Sequence, residues 1–448
     1  MTRRCTKRSG VVLILVLWAI AVLALLAGGV SFAIRQDVAV ANIEGDRLAA
    51  HWLARAGVER AIAELTDDNL NNYDHLDEFW ADYPAGFENV ELAGGTFSVM
   101  RDGYEVRPVA WYGAADESAK LNASVATIDQ LMDLPDMTRP IASAIVDWRD
   151  RNEDPQPEGI EGGHYSGLAH PYRIRNGPFR TVREILLVRG VTGEQFYKED
   201  LNANGRLDPN ENDGSETAPA DNRDGRLDRG WFAFLTTYSY DKNVDATGEK
   251  RLNLNDVDAN RLATRTRLES WAAESIVQAR GQRQFEHLID LLKVTKAQDV
   301  AHNATDNDFF FRSDEDRDRP VTVRIFQAIV DKLTLKNDEM LPGRININTA
   351  PREVLVTLPG IDDERADAIV QYREGGGMFT SIGDLLDISS ITQETFGSLE
   401  DSITVRSNVF RIRSEGKAAS GLAVATIECV VDRGGEVPRI LYWLESTP

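Results

Sequence analysis

Cysteine is nearly absent: Cys5 and Cys429 are the only two in 448 residues. Two cannot make a disulfide framework, and Cys5 precedes a long apolar run instead of following it, which argues against a lipoprotein anchor. Histidine is almost as scarce, and the six (His51, His75, His164, His170, His287, His302) show no metal-ligand spacing. No Gly-x-Ser-x-Gly, phosphate loop or dinucleotide fingerprint appears, so nothing signals nucleophilic or nucleotide chemistry. Positive charge is in deficit, with 50 Lys and Arg against 72 Asp and Glu and a formal net charge of −22. That balance makes nucleic acid and anionic membrane surfaces poor partners.

What the chain does have is an uncharged run over residues 11–34, behind Arg3, Arg4, Lys7, Arg8 and Gly10. At ~1.5 Å per residue such a helix spans the ~30 Å hydrocarbon core with some tilt. The cations ahead of it predict a cytoplasmic N-terminus and an exported remainder. A secretory signal peptide would have a shorter core and a better cleavage site than Ala27-Gly28-Gly29. A single-pass anchor and a processed leader ending at Gly10 are the readings left. Ala54, Val58, Ile62 and Leu65 then recur on one helical face, so the helix is expected to continue over 11–65, with only Gly57 against it.

Strand signals follow. Residues 96–100 alternate with Phe97 and Val99 on one face, and Asp102-Gly103 offers a hairpin turn toward 104–106. Near the other end Phe410 and Ile412, then Ala425, Ile427 and Cys429, then Ile440, Tyr442 and Leu444 alternate, with Gly434-Gly435 between the last two runs. A sheet drawn from both ends predicts an interrupted domain, with everything from about Ala115 to Asp401 inserted between strands.

The insert repeats itself. Lys120-Leu121-Asn122, Arg251-Leu252-Asn253 and Arg344-Ile345-Asn346 share a basic–apolar–Asn opening. The first copy runs through Leu134-Pro135-Asp136 to Asp147-Trp148-Arg149, the third through Leu358-Pro359-Gly360 to Gln371-Tyr372-Arg373. Each closes on a Phe-centred coda, at 177–186 and 377–386. The second copy reads as an opening only, degenerate beyond it, and gives no role to about 242–341. Each full copy predicts two short helices around a tight turn and a third after the coda. Thr349 is the expected N-cap in the third copy, with Pro351 early in the helix. This pattern resembles the helix-hairpin-helix module, which usually binds DNA through backbone N–H groups of a Gly-apolar-Gly turn and nearby cations. Here the turn reads Gly360-Ile361-Asp362-Asp363-Glu364, and in the first copy Asp136-Met137-Thr138. Carboxylates where phosphate would sit oppose binding, so scaffolding or a protein-binding surface is the expected role. A membrane-anchored DNA receptor of competence type is the rival reading, and a membrane-anchored exported hydrolase a weaker one.

One constellation carries metal chemistry. Asp200, Asn202, Asn204, Gly205, Arg206, Asp208 and Glu211 fall at positions 1, 3, 5, 6, 7, 9 and 12 of a calcium loop, Arg206 giving its carbonyl. No clear helix pair flanks it, so a structural ion is expected, at the ~10⁻⁴–10⁻³ M affinity of extracellular sites. Around Gly225, Asp221, Asp224 and Asp228 make a second, partial candidate: Ala220 and Trp231 stand at its positions 1 and 12 and ligate nothing. The acidic run at 313–318 reads as a solvated loop.

Taken in order, the leader, Gly10, the long helix, the split sheet, Lys120-Leu121-Asn122, Asp147-Trp148-Arg149, Asn176-Gly177-Pro178-Phe179, Leu187-Val188-Arg189-Gly190-Val191 and the calcium loop resemble the K-type minor pseudopilins of type II secretion systems (general secretion pathway protein K). The resemblance implies an α+β fold, a transmembrane and stalk helix with an antiparallel pilin-like sheet interrupted by a large helical insert. Its parts would be a cleaved leader at 1–10, the helix at 11–65, the first sheet segment at 66–115, the insert at 116–400 and C-terminal strands at 401–448. Helix-hairpin-helix-like repeats at about 120–192 and 344–392 and the calcium loop at 200–211 fall within the insert. A prepilin peptidase would cut between Gly10 and Val11 and methylate the new amine; Cys5 would leave with the leader. Most of the class carry Glu at the fifth residue after the cut, and here that residue is Leu15, a lack the K type shares. The family further implies a non-enzymatic, single-pass inner-membrane subunit at the tip of the periplasmic pseudopilus. It would hold structural calcium, meet the I- and J-type minor pseudopilins and the inner-membrane machinery, start assembly and cap the fibre, without nucleic acid.

Overall fold

The computed structural model describes residues 9–103, 111–296 and 319–446. The leader cations, Cys5, His302, the strand expected at 104–106 and the acidic run at 313–318 lie outside the described residues. One helix, α1 (Ser9–Asp67), runs unbroken from the apolar segment into the folded head. Among the described residues it alone is long and apolar enough to cross a membrane. Its first half is bare, with Val11, Leu15, Trp18 and Leu25 all exposed. Its last turns bury Ala50, Leu53, Ala54, Val58, Ala61 and Leu65, the face that the sequence periodicity marks. Gly57 sits on that face because a side chain there would collide with Ser414 and Phe97, and Gly416 answers it, lying against the helix backbone at Ala50 and Ala54. Two glycines thus set how closely helix and sheet approach.

The sheet is antiparallel and built from both ends of the chain. β1 (Val90–Leu92) and β2 (Gly95–Met100) form a hairpin, and β3 (Ala115–Asp116) is a short bridge. β4 (Val409–Lys417), β5 (Val424–Asp432) and β6 (Arg439–Ser446) follow the insert. Their order is β1-β2-β4-β5-β6, with β3 beside the start of β4. The chain therefore leaves the sheet at Asp116 and re-enters it at Val409, the split that the alternation at both ends predicts. The β1–β2 hairpin turns at Ala93-Gly94, both with positive φ, while the turn expected at Asp102-Gly103 leads into residues outside those described. One local expectation needs correcting. In β6, Ile440 and Leu444 are 48% and 40% exposed, and Trp443, opposite Cys429, is the residue that packs toward α1. The reason is an edge position with an irregularity at Val430/Val431, which shifts the alternation.

The insert has its own core, separate from the helix–sheet core, and is a string of three like modules. Each opens on two extended residues that pair in parallel with two that close it: Leu121–Asn122 with Leu235–Thr236, Leu252–Asn253 with Leu333–Thr334, Ile345–Asn346 with Ile403–Thr404. The opening Asn carbonyl accepts the amide two residues on, at 2.9–3.0 Å, in all three. Its Nδ2 reaches across to Ser239, Asn337 and Ser407 respectively. An arginine at the end of each second helix reaches back to two opening carbonyls: Arg149 to Ala123 and Ala126, Arg280 to Leu254 and Val257, Arg373 to Ile347 and Ala350. The second copy is thus complete, with helices at Ala259–Thr266 and Ser270–Gln282, contrary to its degenerate look. Its frame needs only the Asn, the Arg and Phe285, whose amide bonds Asn255; the Leu-Pro-Gly turn is replaced by Arg267 in the left-handed region. In the third copy the helix starts at Arg352 behind Pro351, and the Thr349 hydroxyl bonds Asp116 on β3 at 2.6 Å instead of capping.

Candidate functional site

Residues 200–211 follow the short helix Gly193–Tyr197 and lie against the sheet, where Arg413 on β4 donates to the Ala203 carbonyl at 2.9 Å. The loop closes on its acidic residues. Asp200 accepts the amides of Asn204 (2.8 Å) and Gly205 (3.0 Å), and Asn204 Oδ1 accepts from Arg206 N (2.7 Å). The side-chain Nδ2 groups of Asn202 and Asn204 both donate to Asp208 Oδ2 at 2.8 Å. Gly205 has φ +69°, and any side chain there would strike Asp102. Glu211 ends the 3-10 turn Pro209–Glu211, takes the Asp208 amide on Oε2 (2.9 Å), and leaves Oε1 buried with no hydrogen-bond partner.

The electrostatics match a site built for a cation. Burial, then the neighbouring Asp102, pushes Asp200 up to about 6. Burial, then Asp200, Asp208 and Glu199, pushes Glu211 up to about 7. Carboxylates crowded this way repel one another. An orphaned buried oxygen among hard oxygen donors fits a divalent cation such as calcium. The loop's hydrogen bonds thus link Asn202 and Asn204 to Asp208, Asp208 to Glu211, and Asp200 to Asn204. Asp102 and Glu199 join it unannounced; Glu199 directly precedes position 1, whereas Asp102 is close only through the fold.

The second candidate gathers differently. Asp221 accepts the amides of Asp213 and Gly214, and Asp224 accepts Arg226 N at an exposed turn. Asp228 instead meets Asn222 (3.3 Å), while its amide donates to Glu199 Oε2 (2.8 Å). Glu199 thus joins the two loops end to end. Among the described residues, two acidic groupings outside these loops have the spacing for a metal ion: Asp68, Asp74 and Glu78, and Asp147, Asp150 and Glu161. The first is accounted for by Arg433, which bonds Asp68 and Asp74 and stacks on Phe410.

In the first and third modules, cations at the hairpin turns are ion-paired; in the second, Arg267 stands exposed at the turn. In the third module Asp362 caps the helix Asp363–Glu374, Arg365 pairs with Asp362, and Arg352 pairs with Asp363 (2.9 Å) and Asp367 (2.6 Å). In the first, Asp136 takes the place of Gly360, at φ +57°, and pairs with Lys198.

A model of the type II secretion system protein K family matches residues 109–198, and one of the helix-hairpin-helix motif matches 343–404. The first module thus carries the one signature and the third the other. The type II secretion system protein K of Pseudomonas aeruginosa is 26% identical over 308 residues, 64% of this chain and 76% of that protein. The ComE operon protein 1 of Bacillus subtilis is 40% identical over 62 residues, 14% of this chain and 30% of that protein. Among solved structures, the GspK-GspI-GspJ complex of the enterotoxigenic Escherichia coli type 2 secretion system has a chain with 14% identity and a TM-score of 0.38, covering 91% of this chain and 99% of that one. The protein K signature lies on the module that follows the first sheet segment, and the relative of that name aligns with 64% of the chain. By that signature and that relative, the chain is similar to the type II secretion system protein K family.

Proposed function

We propose that this chain is the minor pseudopilin at the tip of a periplasmic pseudopilus, helping assembly start and capping the fibre. The observation that carries the proposal is α1: a bare apolar half, with Leu15 at the position where the class keeps a carboxylate, rigidly continuous with a large head. A carboxylate in hydrocarbon costs several kcal/mol unless paired. A subunit without one makes no demand on a neighbour's N-terminal amine, which suits the end of a fibre. The helix would sit in the inner membrane with its N-terminus cytoplasmic, after a prepilin peptidase cuts Gly10-Val11. The I- and J-type minor pseudopilins would pack along it. The head is a structural, non-enzymatic body, and the 200–211 loop holds a calcium ion as a staple.

The helix-hairpin-helix match favours a second reading, DNA binding. The carboxylates at 362–364 and the ion-paired state of Arg352 and Arg365 argue against it. The test is deletion of the gene, with secretion assayed, and immunogold labelling of pseudopili in the complemented strain. Loss of secretion with label at fibre ends is the expected result. Normal secretion in the deletion, or label along the fibre length, sinks the proposal. Duplex binding by the purified chain at physiological salt would favour the DNA reading.

A further inference from the structure

The second helix of the first module, Arg139–Arg149, ends in a pocket of carboxylates that the secretion reading does not use. Asp147, fully buried, and Asp150, at the helix C-cap, face Glu161 at the far end of the following loop. One carboxylate oxygen from each lies within 4.8 Å of the other two. Glu161 is 9% exposed, and neither of its oxygens has a hydrogen-bond partner. The Gly162 amide is near enough to favour its charged form slightly but makes no hydrogen bond. Among the described residues no Lys or Arg pairs with any of the three; the neighbouring Arg149 is turned to the Ala123 and Ala126 carbonyls. Burying like charges together without a cation is costly. Yet the loop is built to do so. Asp147 accepts the amides of Gln156 (2.9 Å) and Ile160 (2.5 Å), drawing the loop's return arm over itself. Gly159 lies so close that any side chain there would overlap the Asp147 carboxylate.

We propose that Asp147, Asp150 and Glu161 bind a divalent hard cation, calcium, at a site separate from the 200–211 loop. Three carboxylates supply the charge, and calcium takes six to eight oxygens in a flexible geometry that waters can complete. Magnesium, which demands near-ideal octahedral geometry at shorter distances, suits an irregular loop less. The ion would pin the loop 151–160 to the helix end and fix the first module, whose Trp148 indole bonds Glu184 of its coda (3.1 Å).

The test uses the full-length chain in detergent, stripped with a chelator and titrated with calcium chloride by flow dialysis. Glu161→Gln and Asp150→Asn should each bind one calcium fewer per chain than the wild type up to millimolar concentration. Glu211→Gln should lose a different ion, so that Glu161→Gln/Glu211→Gln loses two. Glutamine at 161 keeps the shape and removes the charge; its melting temperature in chelator should be no lower than wild type, which separates a lost ion from a lost fold. Asp150, only partly buried, gives a variant less exposed to misfolding. Equal calcium stoichiometry in wild type, Glu161→Gln and Asp150→Asn overturns the proposal.

Discussion

At the scale of single residues, the head is held by charges that burial makes expensive to leave alone. Arg433, 1% exposed, donates to the Leu65 carbonyl and to Asp68 and Asp74, joining the end of α1 to the sheet. Burial pushes Asp74 upward against the pull of Arg433, while the Ser407 amide (2.6 Å) helps hold it charged. Arg433→Ala leaves that carboxylate alone in the core and should cost about 3–5 kcal/mol, read as a lower urea midpoint; a loss under about 1 kcal/mol would mean that the pair adds nothing. Glu400 shows the opposite case, a buried carboxyl with no Lys or Arg paired to it and only the half-exposed His287 ring nearby, at 3.6 Å. It accepts the Leu288 and Ile289 amides, and burial pushes it from 4.5 up to about 8. The folded chain then keeps a proton that the unfolded chain releases near 4.5. Stability therefore falls as pH rises from about 4.5 to 8, by on the order of 3–5 kcal/mol. Glu400→Gln cannot ionise and should show a flatter melting-temperature profile over that window, measured in chelator. Equal slopes would place the native carboxyl in its charged form throughout.

At the scale of elements, the 200–211 loop is the piece of the first module whose stability the proposed calcium ion would set. With Glu161→Gln as background, so that only this loop is read, calcium at a hundredfold excess over Kd should add about 2.7 kcal/mol to apparent stability. Asp200→Ala or Glu211→Ala should cancel that rise in thermal unfolding; a rise that survives both would move the ion elsewhere. The loop's pattern was legible because its oxygen-bearing side chains are spaced within twelve residues, and the long helix because its apolar face repeats every turn. The second module was not, and the reason is range. Its opening Asn253 finds its partner 84 residues on, at Asn337, as Asn122 and Asn346 find Ser239 and Ser407. The closers share a signal, Leu235-Thr-Thr-Tyr-Ser239, Leu333-Thr-Leu-Lys-Asn337 and Ile403-Thr-Val-Arg-Ser407, each Thr hydroxyl accepting the amide two residues on. Four or five letters of that kind mean nothing until the fold shows what they face. Asp102 beside Gly205, and Thr349 bound to Asp116, were hidden for the same reason.

At the scale of the molecule, two cores meet across a seam of buried charge, and whether the head behaves as one body depends on it. Arg411 on β4 lies between Glu117, where the chain leaves the sheet, and Glu428 on β5. Glu428 is also held by Arg183 of the first module (3.2 Å), and Arg183 reaches Tyr442 on β6 (3.0 Å). Lys120 stands 3.8 Å from Glu117. Burial works against the Arg411 charge, but Glu117 and Glu428 outweigh it and hold the guanidinium well above its ordinary value. The seam thus ties the sheet directly to the module that carries the protein K signature. Removing its central cation leaves two buried glutamates with only their outer partners, a loss of about 3–5 kcal/mol. Because that loss falls between the cores and not within either, Arg411→Ala should uncouple them. Calorimetry of the wild type should give one cooperative transition, and the variant two, the lower one abolishing protease resistance at the sheet–insert junction first. A variant that melts as a single transition at reduced temperature would place the coupling in the other bonds across the junction, among them Thr349 to Asp116 and Tyr240 to Asp432 (2.7 Å), instead of in Arg411.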